Sequence, residues 1–229
     1  MKLSPRLKTI ANNVLNCKTC CDIGTDHGYI PIYLIKKNIA NRAIATDINI
    51  GPLRMAKKQI EYLGLENKIQ IRLGAGLEPI QANEVDTAII AGMGGLLIRD
   101  IIESSKITAK SISNFVLQPM IAQAELRKYL IDNDFIIVDE DLAQEGKRIY
   151  EIIIVKHGTQ KIENNIYMDI GKPLIDKKHP LLPSLINLKK NELIKIINLC
   201  KGKNSRNAEL RIKECNNKLL ALKEVEKCL

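Results

Sequence analysis

The sequence predicts an α/β fold, a mostly parallel sheet with helices on both faces, followed by a C-terminal helical hairpin. Three observations predict it. Short apolar runs alternate with amphipathic segments through the first 155 residues. That stretch closes on two β-rich runs with no helix between them. From residue 185 onward the apolar spacing is helical in two segments parted by a short polar connector. Alternation of the first kind implies a parallel sheet covered on both faces.

The elements follow in order. Lys18–Ile23 is a short apolar strand ending in Asp and Gly, and residues 30–38 read as the helix after it. Ala43–Ile48 is the second strand. Pro52–Leu63 places Leu53, Ala56, Ile60 and Leu63 on one helix face, and Gly64 stops it. Ile69–Leu73 and Val85–Ala91 are strands three and four. Leu96–Ser104 is helical, Asn114–Leu117 is the fifth strand and Ala122–Ile131 is amphipathic. Phe135–Asp139 and Arg148–Val155 complete seven strands, joined by the acidic link Glu140–Lys147. Residues 159–184 carry Gly171, Pro173, Pro180 and Pro183 and read as a linker with little regular structure. Leu185–Leu199 and Ala208–Leu229 form the predicted hairpin, since short polar connectors favour antiparallel helices. The expected domains are 1–158 and 159–229.

Composition bounds the function. Of the 229 residues 45% are hydrophobic, enough for a sizeable core, which must be aliphatic because there is no Trp and only two Phe. No apolar run approaches the roughly 18 residues of a membrane span. Met1–Asn13 is interrupted by Lys2, Arg6 and Lys8 and has no signal-peptide pattern. A cytoplasmic protein with no membrane partner is expected. Cys17, Cys20 and Cys21 sit together, and Cys200, Cys215 and Cys228 lie near the other end. Cys17-x-x-Cys20 lacks a second ligand pair for a tetrahedral zinc site, so no metal is expected and the cysteines read as small core residues. The net charge of +9 is uneven. Residues 1–155 hold 19 basic against 18 acidic side chains, and residues 156–229 hold 16 against 8. A basic extension on a near-neutral domain points to a polyanion such as nucleic acid, the alternative being a solvated Lys-rich surface.

The first strand ends in Asp22-x-Gly24-x-x-x-Gly28. Glycine there lets backbone pass close to a ligand. A dinucleotide site would carry Gly-x-Gly-x-x-Gly for a pyrophosphate. An acid at the strand end suits instead the ammonium of S-adenosylmethionine, which has no phosphate. Asp47 ends the second strand, where a carboxylate accepts ribose hydroxyls, with Ile48 beside it. That role also occurs in nicotinamide enzymes, so it marks adenosine in general. Gly74-Ala75-Gly76 follows strand three, where adenine would lie, and Gly92-Met93-Gly94-Gly95 follows strand four, with Met93 able to give apolar contact. Together with the closing hairpin these features fit the Rossmann-like sheet of a class I methyltransferase. Enzymes that methylate exocyclic amines usually carry Asn/Asp-Pro-Pro-Tyr/Phe after strand four, and Ala91-Gly-Met-Gly-Gly95 does not match. A ring nitrogen, whose in-plane lone pair attacks without prior deprotonation, fits better.

Five segments carry a resemblance. They are Leu3-Ser4-x-Arg6-Leu7, Asp22-Ile-Gly-Thr-Asp-His-Gly-Tyr-Ile-Pro31, Ile90-Ala-Gly-Met-Gly-Gly-x-Leu-Ile-Arg-Asp100, Leu117-Gln-Pro119 and Lys147-x-x-Tyr-Glu-Ile152. The chain resembles the bacterial tRNA adenine-22 N1-methyltransferase family (the TrmK family). The resemblance implies methyl transfer from S-adenosylmethionine to N1 of an adenine in the D-arm of tRNA, a partner the basic hairpin would clamp. Asp26 is then the catalytic carboxylate, facing the cationic product base, with a turn-forming Asp as the alternative. His27 contacts the cofactor carboxylate or caps the next helix. Tyr29 stacks on a base or packs. Gln118 reads a base edge or holds backbone before Pro119. Arg6 reaches substrate phosphate or cofactor, or is solvated. Family members often have Asn or Asp where this chain has Ala75, so the adenine contact passes to backbone. A monomer is expected, and the target base must open or flip to expose N1. The other readings are a methyltransferase of another substrate and a non-enzymatic RNA-binding protein.

Overall fold

Strands with apolar residues on both sides must be covered on both faces, and the first strand shows how. In β1 (Cys17–Ile23) Cys20 packs into one apolar layer and Cys21 into the other. Both are buried as free thiols. The computed structural model describes residues 3–203 and 205–229; Met1 and Lys2 of the N-terminal stretch and Asn204 of the expected connector lie outside the described residues. The other strands are β2 (Ala40–Asp47), β3 (Ile69–Leu73), β4 (Thr87–Met93), β5 (Asn114–Pro119), β6 (Phe135–Glu145) and β7 (Arg148–His157). Among the described residues they form one seven-stranded sheet in the order β3-β2-β1-β4-β5-β7-β6. The first five are parallel, and β7 inserts antiparallel between β5 and β6. The winding reverses between β1 and β4, so a crevice opens at their carboxyl ends.

Helices α1 (Pro5–Asn12), α2 (Tyr29–Lys36) and α3 (Ile50–Tyr62) bury Ile10, Ile32 and Ile60 on one face of the sheet. Helices α4 (Gly95–Ser104), α5 (Lys106–Ser111) and α6 (Gln123–Asp132) bury Ile98, Ala109 and Leu130 on the other. Two of these, α1 and α5, go beyond the sequence expectation. The first has a local cause. Ser4 is its N-cap, accepting a hydrogen bond from Leu7 N at 3.4 Å, and Pro5 follows in the first turn, where its fixed φ is pre-organised.

The link expected at Glu140–Lys147 is strand as far as Glu145. Its acids are not a solvated turn. Glu140 is fully buried, with Oε1 accepting from Arg127 Nε at 2.7 Å, and Glu151 Oε2 accepts from Arg127 Nη2 at 2.6 Å. Arg127 on α6 is itself wholly buried. The ion triad therefore locks α6 onto the closing hairpin, and the turn shrinks to Gly146-Lys147.

The chain divides into two compact units, Met1–Lys161 and Ile162–Leu229. In the second, residues expected to be irregular fold into α7 (Ile166–Asp169) and α8 (Lys172–Asp176). The residues read as breakers act as helix starts: Gly171 caps α8 with Pro173 in its first turn, and Pro183 opens α9 (Leu182–Cys200). Helix α10 (Arg206–Lys227) returns antiparallel, as the pairing of Lys190 Nζ with Glu226 Oε2 at 2.8 Å requires. Ser205 caps it, accepting from Ala208 N at 3.2 Å. Among the described residues no helix is long and apolar enough to cross a membrane.

Candidate active site

A cavity of about 270 Å³ opens at the carboxyl end of β1 and β4, lined by Arg6, Leu7, Asp22, Gly24, Asp26, Tyr29, Ile30, Ala91 and Gly92. A larger hollow of about 470 Å³ lies at the opposite end of the strands, against Thr19, Arg42 and Lys68. It is far from the glycine loops, and the smaller cavity is the one with convergent polar groups at the switch point.

Asp22 is buried at the end of β1, and its Oδ2 accepts from Thr25 Oγ1 at 2.6 Å. Burial pushes its carboxyl up to about 6; the Thr25 hydrogen bond opposes this, and the nearby Asp47 and Asp26 carboxylates add to it. A buried acid held this way fits a cationic group arriving in the cavity. Gly24 follows with φ of 73°, a left-handed conformation that favours glycine, and the tip of Met93 fills the space a Cβ would take. Asp26 is 78% exposed at its side chain and its Oδ1 lies 3.2 Å from His27 Nε2. His27 holds a left-handed φ of 57° and stacks on Tyr29, with ring centroids 5.3 Å apart. Gly28 caps α2, and Asp22, Gly24, Asp26 and Tyr29 of this turn line the cavity.

Helix α1 brings Arg6 to the opposite wall. Its backbone N donates to Glu145 Oε1 at 2.8 Å, and its guanidinium lies 5.4 Å from the Tyr150 ring centre. Nη1 donates to Gln118 Oε1 at 2.8 Å. Gln118 has no exposed surface: Oε1 also accepts from Gly92 N at 3.2 Å, and Nε2 donates to Pro119 O at 3.0 Å and to Met120 Sδ at 3.6 Å. Both ends of its amide are engaged inside the protein. In this arrangement Gln118 orients Arg6 and the β4 loop and presents no edge to a base.

Of the residues the sequence singled out, the cavity gathers Arg6, Asp22, Gly24, Asp26, Tyr29 and Gly92. Asp47, Ile48, Ala75 and Gly76 do not line it; they lie further along the same sheet edge. Asp47 Oδ1 accepts from Asn49 N at 2.7 Å, and its carbonyl accepts from Gly74 N at 3.0 Å, which ties the β2 loop to the β3 loop. Ile48 is exposed beside it. Met93 and Gly94 lead from β4 into α4. Thr25, Glu145 and Tyr150 support the site without standing out in the sequence. Thr25 and Tyr150 fall within the motifs that carry the family resemblance, but their work depends on the folded arrangement around them. Among the described residues no group of three or more His, Cys, Asp or Glu side chains is placed to hold a metal ion.

A parallel sheet closed by an antiparallel hairpin, an acid ending β1, and glycine loops after β1, β3 and β4 define the methyltransferase class of α/β proteins. Residues 3–153 match the family model described as a methyltransferase domain. A tRNA (adenine(22)-N(1))-methyltransferase of Bacillus subtilis (strain 168) is 39% identical over 158 residues, covering 69% of this chain and 66% of the relative. The crystal structure of Streptococcus pneumoniae Sp1610, a putative tRNA (m1A22) methyltransferase, matches with TM-score 0.88 and 32% identity over 98% of this chain and 99% of that one. The B. subtilis M1A22 tRNA methyltransferase TrmK matches with TM-score 0.87 and 32% identity over 98% of each chain. The chain belongs to the tRNA (adenine(22)-N(1))-methyltransferase family.

Proposed function

We propose that this chain transfers a methyl group from S-adenosylmethionine to N1 of adenine 22 in the D-arm of tRNA. The observation that carries the reading is Asp22, a buried carboxylate at the cavity wall with its carboxyl raised to about 6. A buried acid whose hydrogen-bond donor is a neutral hydroxyl is stabilised further by a cation, and the methionine end of the cofactor carries one. The Sp1610 relative has also been crystallised in complex with S-adenosyl-L-methionine. The cofactor supplies an electrophilic methyl on a sulfonium. Asp22 faces its ammonium, Asp47 its ribose hydroxyls and Ile48 its adenine ring. The backbones of Ala75, Gly76, Gly92 and Gly94 leave room for it, with Met93 as apolar contact and His27 near its carboxylate.

An adenine N1 lone pair lies in the ring plane and needs no base before it attacks. The chain's work is positioning, exclusion of water and stabilisation of the positive charge that appears on the ring. Asp26, exposed on the cavity wall, is the carboxylate for that charge. Tyr29 offers a ring to a base, and Arg6 a guanidinium to the nucleotide phosphate. Gln118 serves through Arg6. The domain of residues 1–158 thus holds cofactor and target base, and the basic extension of 159–229 holds the tRNA backbone. The protein works as a monomer in the cytoplasm, where tRNA is modified.

The test is incubation of the full chain with labelled cofactor and unmodified tRNA bearing adenine 22, followed by nucleoside analysis. Label in 1-methyladenosine is expected. Its absence with every such tRNA sinks the assignment. Asp26→Ala should lower turnover much more than cofactor affinity.

A further inference from the structure

Four large apolar side chains stand exposed at the sheet's carboxyl edge: Leu96 and Leu97 after β4, and Met120 and Ile121 after β5. Single exposed hydrophobics are ordinary. Ile121 differs in how it is held. Met120 N donates to Met93 O at 2.7 Å and Gly95 N donates to Ile121 O at 2.9 Å, so the β4 and β5 loops are clipped together on both sides of it. Gly95 is needed for this approach, because a Cβ there would overlap Ala122 O. Ala122 then takes a left-handed φ of 57°, uncommon for a residue with a side chain. One flank of Ile121 rests along Gly94, yet 68% of the residue remains exposed. A fixed backbone thus presents a large aliphatic surface to solvent.

That surface adjoins the β4 loop, whose Gly92 lines the cavity and whose Gly94 lies against Ile121. Gln118 donates to Met120 Sδ from one end of its amide and accepts from Arg6 and Gly92, both on the cavity wall, at the other. A base taken out of its stack needs a flat or apolar face in exchange, and proteins usually supply aromatic rings. This chain is poor in them. It has no Trp, and its two Phe, Phe115 and Phe135, are buried against each other in the core. Among the described residues lining the cavity, Tyr29 carries the only ring. Of the six Tyr, Tyr29 lines the cavity and the Tyr150 ring lies against Arg6, so a flipped base has one ring at the cavity wall and an aliphatic surface can supply a second face.

We infer that Ile121, with Met120 beside it, is the platform on which the extruded target adenine of the RNA lies while its N1 faces the cavity. The inference rests on the RNA-methylating function proposed above. Its ligand is a purine ring, recognised by its apolar face.

The full-length protein with Ile121→Asp and, separately, Ile121→Phe tests it, on unmodified tRNA. Initial rates, affinity for S-adenosylhomocysteine by calorimetry and the thermal midpoint are read for each. Ile121→Asp should lower kcat/KM roughly tenfold to a hundredfold, the worth of one stacked base. The thermal midpoint and S-adenosylhomocysteine affinity should stay at their wild-type values, and Ile121→Phe should keep most of the activity. Wild-type kcat/KM in Ile121→Asp overturns the inference. So does an equal loss in Ile121→Phe, or a loss of S-adenosylhomocysteine affinity that matches the loss of rate. A wild-type protein that binds S-adenosylhomocysteine but methylates no tRNA overturns the functional reading itself, and the platform with it.

Discussion

Burial holds the Asp22 carboxyl at about 6, where an aspartate in an unfolded chain titrates near 4. The folded protein therefore binds the extra proton between about pH 4 and 6, and cofactor-free stability falls as pH rises through that window. Above it the buried charge remains a standing cost. Asp22→Asn removes that charge while keeping an acceptor for Thr25. The cofactor-free variant should melt higher than wild type at pH 8 and at about the same temperature near pH 4, in a scanning experiment across that range. It should also lose cofactor affinity. An ammonium beside Asp22 favours the carboxylate, so cofactor binding near pH 6 should release a proton, seen as a binding enthalpy that depends on the buffer. A buffer-independent enthalpy at pH 6 would remove Asp22 from the cofactor site. Asp22 was legible in the sequence because an acid ending a strand before a glycine turn is a local pattern. The role of Gln118 was not. Its burial and its grip on Arg6 join residues 112 positions apart, and no spacing rule reports such a contact.

The same division holds for the elements. Strands β1 to β5 and helices α2, α3, α4 and α6 were legible from apolar periodicity, since burial on two faces writes itself into short uninterrupted runs. Helix α1 had a readable start in Ser4-Pro5, yet its short basic sequence gave no reason to expect it against the sheet. The extent of β6 was hidden for a different reason. Asp139-Glu140-Asp141 has the composition of a turn, and Arg127 on α6, distant in sequence, explains why Glu140 lies inside. That triad is poor evidence of net stabilisation, because desolvating three ions offsets much of their attraction. Removing one partner is another matter. Arg127→Met should leave two buried carboxylates without their cation and destabilise the fold by about 3–5 kcal/mol in denaturant titration. The triple variant Arg127→Met, Glu140→Leu, Glu151→Leu should recover most of that loss. If Arg127→Met alone unfolds at the wild-type midpoint, the triad does not lock α6 to the hairpin.

Across the whole chain the decisive feature is where the charge lies. Most of the +9 belongs to the last third, while the cavity is lined by two acids and one Arg. Part of the helical hairpin's charge is neutralised internally. Lys190 pairs with Glu226, Lys218 with Asp169 and Arg211 with Glu214. Around the turn between α9 and α10, Lys195, Lys201, Lys203, Arg206 and Lys213 are exposed. A compact basic tip of this kind suits a phosphate backbone, whose neutralisation releases counterions and makes affinity fall steeply with salt. Lys195→Glu, Lys203→Glu and Lys213→Glu combined should raise KM for tRNA at moderate salt and leave S-adenosylhomocysteine affinity at its wild-type value. The slope of log affinity against log salt should flatten by about 0.9 for each phosphate that is no longer neutralised. Since these residues are exposed on helices or their connector, the thermal midpoint should hold. A KM and salt slope equal to wild type would mean that the tip does not meet the tRNA, and that the excess charge is a solvated surface.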